Sequence, residues 1–209
     1  MISAQEALER LQSGNSRFAS GTHGGNPLGA RPSETAASQA PFAIILGCSD
    51  SRVPAEIVFD QGLGDLFVIR VAGNIVAPSQ IGSVEFAATN FGTPLVVVLG
   101  HSNCGAVLAA VEQLQTPADS RSRNLRSIVN FIQPSVQRCI SAGNHEDQDA
   151  LVEQAVLANI HASVRHLRRG SEILEELIED DQLRIVGAEY SLDTGRVRFI
   201  DDAEDESAL

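Results

Sequence analysis

The chain has 209 residues, of which 43% are hydrophobic and 20% charged, and its formal net charge is -12. This length and composition predict a single domain over residues 1–209 with a sizeable core. An acidic surface argues against nucleic acid and anionic membranes as partners, and no apolar run approaches the ~20 residues of a membrane span, so we predict a cytoplasmic protein with neither partner.

The first 40 residues are predicted to form an N-terminal helical arm. Ser3 and Glu6 make a capping box that begins a short amphipathic helix over 4–13, and residues 15–18 are compatible with a further turn. This segment contains acids and lacks a long apolar core, so it is not expected to be a signal peptide. Residues 20–40 are rich in Gly, Ser, Pro and Ala, and the pattern fits either an arm that wraps a neighbouring subunit or a surface loop.

The middle of the chain alternates apolar runs with helical patterns. Strands are predicted over 42–47, 65–71 and 94–100. Helices are predicted over 54–59, 79–91 and 104–115, with two or three more in 122–180, where Pro134 kinks or divides one. A final strand pair is predicted at 183–190 and 196–200 around the turn 193–195, followed by a flexible tail over 201–209.

Nearly continuous apolar strands joined by helical crossovers indicate a parallel sheet that is buried on both faces. We therefore predict an α/β fold with a mostly parallel central sheet flanked by helices, an N-terminal helical arm and an antiparallel C-terminal edge strand. In such sheets, ligands bind beyond the carboxyl ends of the strands, at a switch point in the strand order.

Metal-binding and proton-transferring residues follow two of the strands, each after one glycine. The first strand leads into Cys48, Asp50 and Arg52, and the third leads into His101 and Cys104. Two thiolates and one imidazole are typical zinc ligands, and this set leaves a fourth position for water, as in catalytic zinc sites. The sequence therefore predicts one zinc site at this edge of the sheet.

Each half of this pattern is weak evidence alone, because lone cysteines are usually core residues. The third cysteine, Cys139, lies in an apolar helical stretch and is interpreted as a buried core thiol. Cys104 begins a helix, where the backbone is expected to lower the pKa of its thiol. Asp50 has two open roles, either as the fourth ligand or as an acceptor held by Arg52 beside the metal. The alternative is an exposed Asp–Arg pair with little effect.

Taken together, Cys48-Ser-Asp-Ser-Arg-Val-Pro-Ala-Glu and Gly100-His-Ser-Asn-Cys-Gly resemble the signatures of β-class carbonic anhydrases, and the resemblance extends over about 39–107. It implies one Zn²⁺ per subunit. The implied zinc ligands are Cys48, His101 and Cys104, and the implied catalytic dyad is Asp50 with Arg52. In a closed form of such enzymes, Asp50 itself would ligate the metal.

The resemblance also implies a substrate-binding set and an assembly. The residues in that set are Gln39, Phe67, Ala72, Phe86 and Gly105. Phe86 stands where some family members carry Tyr. Members of the family are homodimers or dimers of dimers in which the N-terminal arm embraces the partner, which would suit residues 1–40 of this chain.

The implied activity is reversible hydration of carbon dioxide to bicarbonate and a proton through zinc-bound hydroxide. Two alternatives stay open at this level. Relatives with the same ligands hydrolyse carbonyl sulfide or carbon disulfide, which are linear molecules like carbon dioxide. The third interpretation is a non-catalytic zinc-binding homologue, in which Asp50 would be the fourth ligand and Arg52 and Gln39 would have no evident role.

Overall fold

The computed structural model describes residues 2–22, 36–115, 122–142 and 147–200. The expected tail at 201–209 and residues 23–35 of the expected arm lie outside these ranges. Among the described helices, none is long and apolar enough to cross a membrane.

The centre of the molecule is a five-stranded sheet in the order β2-β1-β3-β4-β5. Its strands are β1 (Ala43–Gly47), β2 (Leu66–Arg70), β3 (Leu95–His101), β4 (Arg184–Tyr190) and β5 (Val197–Ile200). The first four strands are parallel to their neighbours, whereas β5 pairs antiparallel with β4. The predicted α/β fold with an antiparallel C-terminal edge strand is confirmed.

Helices cover both faces of the sheet. They are α1 (Ala4–Ala19), α2 (Ala55–Val58), α3 (Pro78–Phe91), α4 (Gly105–Gln115), α5 (Arg123–Ala142), α6 (Gln148–Arg169) and α7 (Glu172–Glu179). Helix α1 continues past Gly14 to Ala19 and so includes the further turn at 15–18. At Pro134, where a kink or a division was predicted, α5 is not divided.

The strands alternate between two cores, because successive side chains point to opposite faces of a sheet. Ile44 and Leu46 of β1 face the core formed with the helices from α3 to α7. Ala43 and Ile45 face the second core, which contains α1 and α2. All five residues of β1 and all seven of β3 are buried. The two strands that lead into the expected site are therefore held rigidly from both sides.

Helix α1 packs on its own chain. Ala7 and Leu11 are fully buried in the second core, and the Asn15 side chain donates to the Val58 carbonyl at 3.1 Å and the Gly195 carbonyl at 2.9 Å. The helical half of the expected arm is thus part of the subunit's own core. A contact between residues 20–40 and a partner stays a prediction.

Gly14 allows this close approach of α1, and its replacement provides a test. A Cβ atom at this position would overlap the Phe59 carbonyl oxygen and lie 2.7 Å from Gln61 Nε2. Although alanine is the better helix former by about 1 kcal/mol, a backbone oxygen cannot move aside cheaply. Gly14→Ala is therefore expected to lower the free energy of unfolding by about 1–3 kcal/mol in urea titrations.

Gly82 is the matched control, because it also lies inside a helix but a Cβ there would meet nothing within 4 Å. Gly82→Ala is expected to leave stability unchanged or to raise it by up to about 1 kcal/mol. Equal stability of the Gly14→Ala variant and the unsubstituted protein would contradict the tight contact between α1 and the segment after α2.

The strand order also creates the switch point. From β1 the chain passes to β2 on one side, and then returns to β3 on the other side of β1. The segments that follow β1 and β3 therefore leave the same edge of the sheet as neighbours, which is where ligands bind in folds of this kind.

Candidate active site

The segment after β1 is held in place by the end of the neighbouring strand. Arg70, the last residue of β2, donates from Nε to the Cys48 carbonyl at 3.0 Å and from Nη2 to the Asp50 carbonyl at 2.6 Å. The Val53 amide donates to the same Asp50 carbonyl at 3.1 Å. One arginine thus fixes the backbone on both sides of the Cys48 and Asp50 side chains.

The segment after β3 is anchored to the end of β4. Ser102 donates its amide to the Tyr190 carbonyl at 3.0 Å, and its carbonyl oxygen lies 2.9 Å from His101 Nδ1. Asn103 then adopts a left-handed conformation with φ of 55°, which Asn tolerates better than most residues. This tight turn brings Cys104 back beside His101 at the start of α4.

The ligand atoms of Cys48, His101 and Cys104 all lie within 4.8 Å of one another. The exposed fractions of these residues are 5%, 0% and 1%. His101 Nε2 is buried and has no hydrogen-bond partner among the described residues. A buried polar nitrogen without a partner is costly, and a metal ion bound by this nitrogen and the two sulfurs removes that cost. The residues therefore fit a metal centre of the Cys₂His type.

The two thiols influence each other strongly. A hydrogen bond from Cys104 lowers the pKa of Cys48 to about 4, with further help from the Gly73 amide at 3.3 Å from the sulfur. The pKa of Cys104 is raised, because its proton is shared with Cys48 and because the thiol is buried. The backbone amides of Ala106 and Val107 at the start of α4 act in the opposite direction, but the bond to Cys48 and burial outweigh them, so the lowered pKa expected for Cys104 is not found. A cation between the sulfurs would let both become thiolates.

Asp50 lies beside this group and is paired with Arg52. Both carboxylate oxygens are engaged, with Arg52 Nε 3.0 Å from Oδ1 and Nη2 2.7 Å from Oδ2, and the Arg52 amide donates to Oδ1 at 2.9 Å. These bonds hold the pKa of Asp50 well below its usual range. Asp50 Oδ2 is 3.9 Å from His101 Nε2. Asp50 therefore faces the metal group while its oxygens are held by arginine.

Two members of the expected substrate-binding set adjoin the metal group. Ala72 directly precedes Gly73, whose amide donates to Cys48, and Gly105 directly follows Cys104. Gln39 is exposed and lines a shallow cavity of about 540 Å³ together with Leu63, Gly64 and Phe91. No described contact joins Gln39 to the metal group, so its role in substrate binding stays a prediction.

The two aromatic members of that set pack with each other. Phe67 and Phe86 have ring centroids 6.2 Å apart, and each also contacts Phe91. Phe67 lies three residues before Arg70 in β2, about 10 Å along the strand at ~3.3 Å per residue. Phe86 is 50% exposed. This cluster thus lies at the β2 edge of the sheet, where β2 pairs only with β1 among the described strands.

Two residues of the site region were not placed there by the sequence analysis. Asn159 and Ser163 of α6 donate to the carbonyls of Gly73 and Asn74. The available signal was a pair of polar residues four apart on an otherwise apolar helix face. That spacing indicates a shared polar contact but does not show what the helix packs against.

A Cys₂His group and an adjacent Asp–Arg pair lie together at the switch point of this parallel sheet. This combination defines a class of α/β protein with a candidate metal centre at the sheet edge. A family model described as Carbonic anhydrase matches residues 43–197. The chain belongs to this family, and within it to the β class, as the sequence motifs predicted. Carbonic anhydrases are lyases, so the predicted enzyme class is confirmed.

Similar proteins are found among both curated sequences and solved structures. The chain is 40% identical to Carbonic anhydrase 2 of Mycobacterium tuberculosis, over 91% of this chain and 89% of that protein. It is 38% identical to a carbonic anhydrase of Mycolicibacterium smegmatis, with coverage of 92% and 91%. The β-carbonic anhydrase CafA of Aspergillus fumigatus aligns with a TM-score of 0.72 at 26% identity, covering 84% of this chain and 83% of that one.

Proposed function

We propose that the protein is a zinc-dependent carbonic anhydrase that interconverts carbon dioxide and bicarbonate. The observation that carries this proposal is the buried Cys48, His101 and Cys104 group with an unpartnered imidazole nitrogen, directly beside a paired Asp50 and Arg52. The family and its named relatives support the same reaction.

The metal is proposed to be one Zn²⁺ per subunit. Sulfur and imidazole ligands select zinc over magnesium or calcium, which prefer oxygen. When bound, zinc supplies a Lewis acid that makes a water molecule acidic enough to react near neutral pH. Cys48, His101 and Cys104 would hold the ion, and Asp50 lies beside them, with Oδ2 at 3.9 Å from His101 Nε2.

Asp50 is proposed to orient the reacting water. Its carboxylate stays ionised because Arg52 lowers its pKa, so it can accept a hydrogen bond but not donate one. It therefore favours a ligand that carries a proton, such as water, over anions that carry none. Arg52 acts as a clamp that holds both carboxylate oxygens.

Substrate contacts and assembly complete the proposal. Gln39, Phe67, Ala72, Phe86 and Gly105 remain proposed substrate contacts. Strand β2 pairs only with β1 among the described strands, and the half-exposed Phe86 lies near this open edge. A second subunit at this edge would cover both, in line with the predicted homodimer or dimer of dimers. The compartment stays a prediction.

The activity is tested by stopped-flow hydration of carbon dioxide with a pH indicator, using protein loaded with one equivalent of zinc. Hydration well above the buffer rate between pH 7 and 9, removed by a chelator and restored by zinc, is the expected result. Carbonyl sulfide and carbon disulfide serve as competing substrates. No hydration in this range, or faster turnover of a sulfur substrate, would overturn the proposal.

A further inference from the structure

Helix α6 reaches the metal group through a short turn that follows β2. The turn is the 3₁₀ segment Ala72–Asn74, and the amide of Gly73 donates to Cys48 Sγ at 3.3 Å. We infer that Asn159 of α6 is a positioning residue that holds this amide against the Cys48 sulfur. It thereby sets the affinity of the site for its metal and the charge on the Cys48 ligand. The inference rests on the proposed metal centre.

The turn has a conformation that needs external support. Gly73 and Asn74 are both left-handed, with φ of 71° and 43°. A side chain at position 73 would lie 2.7 Å from Ile132 Cδ1 and 3.0 Å from Ala106 Cβ, so only glycine fits. Gly and Asn adopt the left-handed conformation more readily than other residues, but they also adopt other conformations, so contacts from elsewhere must select this one.

Those contacts come from one face of α6. Asn159 Nδ2 donates to the Gly73 carbonyl at 2.8 Å, and Ser163 Oγ donates to the Asn74 carbonyl at 3.1 Å. Asn159 and Ser163 are one helical turn apart and only 3% and 5% exposed. The adjacent carbonyls of Gly73 and Asn74 thus accept hydrogen bonds from two side chains that lie one helical turn apart on α6. The Gly73 amide and carbonyl belong to the two peptide groups that meet at the Gly73 Cα atom, so anchoring the carbonyl to Asn159, with φ of Gly73 at 71°, helps to hold the amide toward Cys48.

This arrangement has consequences for a metal bound to Cys48. An amide that donates to a thiolate withdraws charge from the sulfur and fixes its orientation toward the ion. Residues that orient metal ligands in this way typically change metal affinity or activity by about 10–100-fold when they are replaced. Loss of the Asn159 bond should therefore affect the metal itself as well as the stability of the fold.

Cobalt(II) makes the effect visible, because thiolate-to-cobalt charge transfer absorbs in the near ultraviolet. Asn159→Leu keeps the branched shape of the side chain, places methyl groups where the amide stood, and removes its donor. In this variant the charge-transfer band is expected to move to longer wavelength, because a sulfur that accepts no hydrogen bond gives up an electron more readily. Cobalt affinity, measured by competition with a chromophoric chelator, is expected to fall by about 10–100-fold.

Two further variants separate positioning from general destabilisation. Val152→Ala removes a buried apolar contact two turns away on the same helix and is expected to leave the cobalt band in place. Ser163→Ala loosens the same turn by its other carbonyl and is expected to shift the band in the same direction as Asn159→Leu, which keeps the inference testable if the leucine variant does not fold.

The outcomes distinguish this inference from the proposed function. A parent protein without any thiolate-to-cobalt band would overturn the metal centre and, with it, the proposed function. A normal parent spectrum with unshifted bands in both the Asn159 and Ser163 variants would overturn only the positioning role. An equal shift in Val152→Ala would do the same, because it would show that any loss of packing in α6 changes the spectrum.

Discussion

The Cys104→Ser variant is expected to lose stoichiometric zinc and nearly all hydration activity. Cys104 is 1% exposed and supplies one of three ligand atoms that lie within 4.8 Å of one another. Serine is similar in size, but its hydroxyl is a poor zinc ligand at neutral pH. Because replacing even the residues that orient a ligand costs about 10–100-fold in affinity, the loss of a ligand should cost about 100-fold or more. Zinc content after dialysis and stopped-flow hydration measure the two effects.

Cys139→Ser is the matched control. Cys139 is the only other cysteine besides Cys48 and Cys104, and it lies on α5, half-buried against the core. Its replacement is expected to leave zinc content and hydration unchanged. If Cys104→Ser kept full zinc and full activity, or if Cys139→Ser lost both, the proposed ligand set would be wrong.

The strands of the fold were predictable because their signal is local. Each of β1, β2 and β3 is an apolar run bounded by glycine or polar residues, and the observed strands lie within a residue or two of the predicted ones. The proximity of Cys48 to His101 and Cys104 was also predictable, because residues that follow neighbouring parallel strands lie at one edge of the sheet.

Features that depend on tertiary packing were not predictable in this way. A glycine inside a helical pattern usually indicates its end, yet Gly14 lies within α1 because the helix needs a surface without a side chain against Phe59. Likewise, nothing local shows that Asn159 and Ser163 face the turn beside Cys48, since α6 begins about 100 residues after β1. Whether Phe67 and Phe86 contact the substrate depends on what covers the open β2 edge of the sheet.

Asp50→Asn is expected to retain zinc and to lower the hydration rate by about 100-fold. Asp50 does not belong to the group of three ligands, so its replacement should not release the metal. An amide is neutral and presents donors as well as an acceptor. It therefore cannot orient the reacting water as a carboxylate does, and the loss of one such oriented group typically costs about 10²–10³-fold in rate. Zinc analysis and stopped-flow hydration at pH 8 test both halves of this expectation.

Arg52→Ala tests whether the hydrogen bonds from Arg52 are needed to orient the Asp50 carboxylate. The direction in which the pKa of Asp50 changes decides how a slower hydration rate is interpreted. In the unsubstituted protein, Arg52 lowers the pKa of Asp50 below its ordinary value. Removal of the guanidinium raises this pKa toward the ordinary value of an Asp carboxyl, which is still far below pH 8, so Asp50 stays ionised in both proteins. A slower Arg52→Ala variant at pH 8 would therefore report lost orientation of the carboxylate and not its protonation.

Arg52→Lys separates charge from geometry. Lysine keeps the positive charge but cannot engage both carboxylate oxygens as the guanidinium does. If orientation matters, the lysine variant should be nearly as slow as the alanine variant, whereas full activity would show that a nearby charge is sufficient. Arg52 is largely exposed, so neither change should unfold the protein.

If Asp50→Asn and Arg52→Ala both hydrated carbon dioxide at the rate of the unsubstituted protein, the pair would have only a structural role. In that case catalysis would require a different acceptor beside the metal.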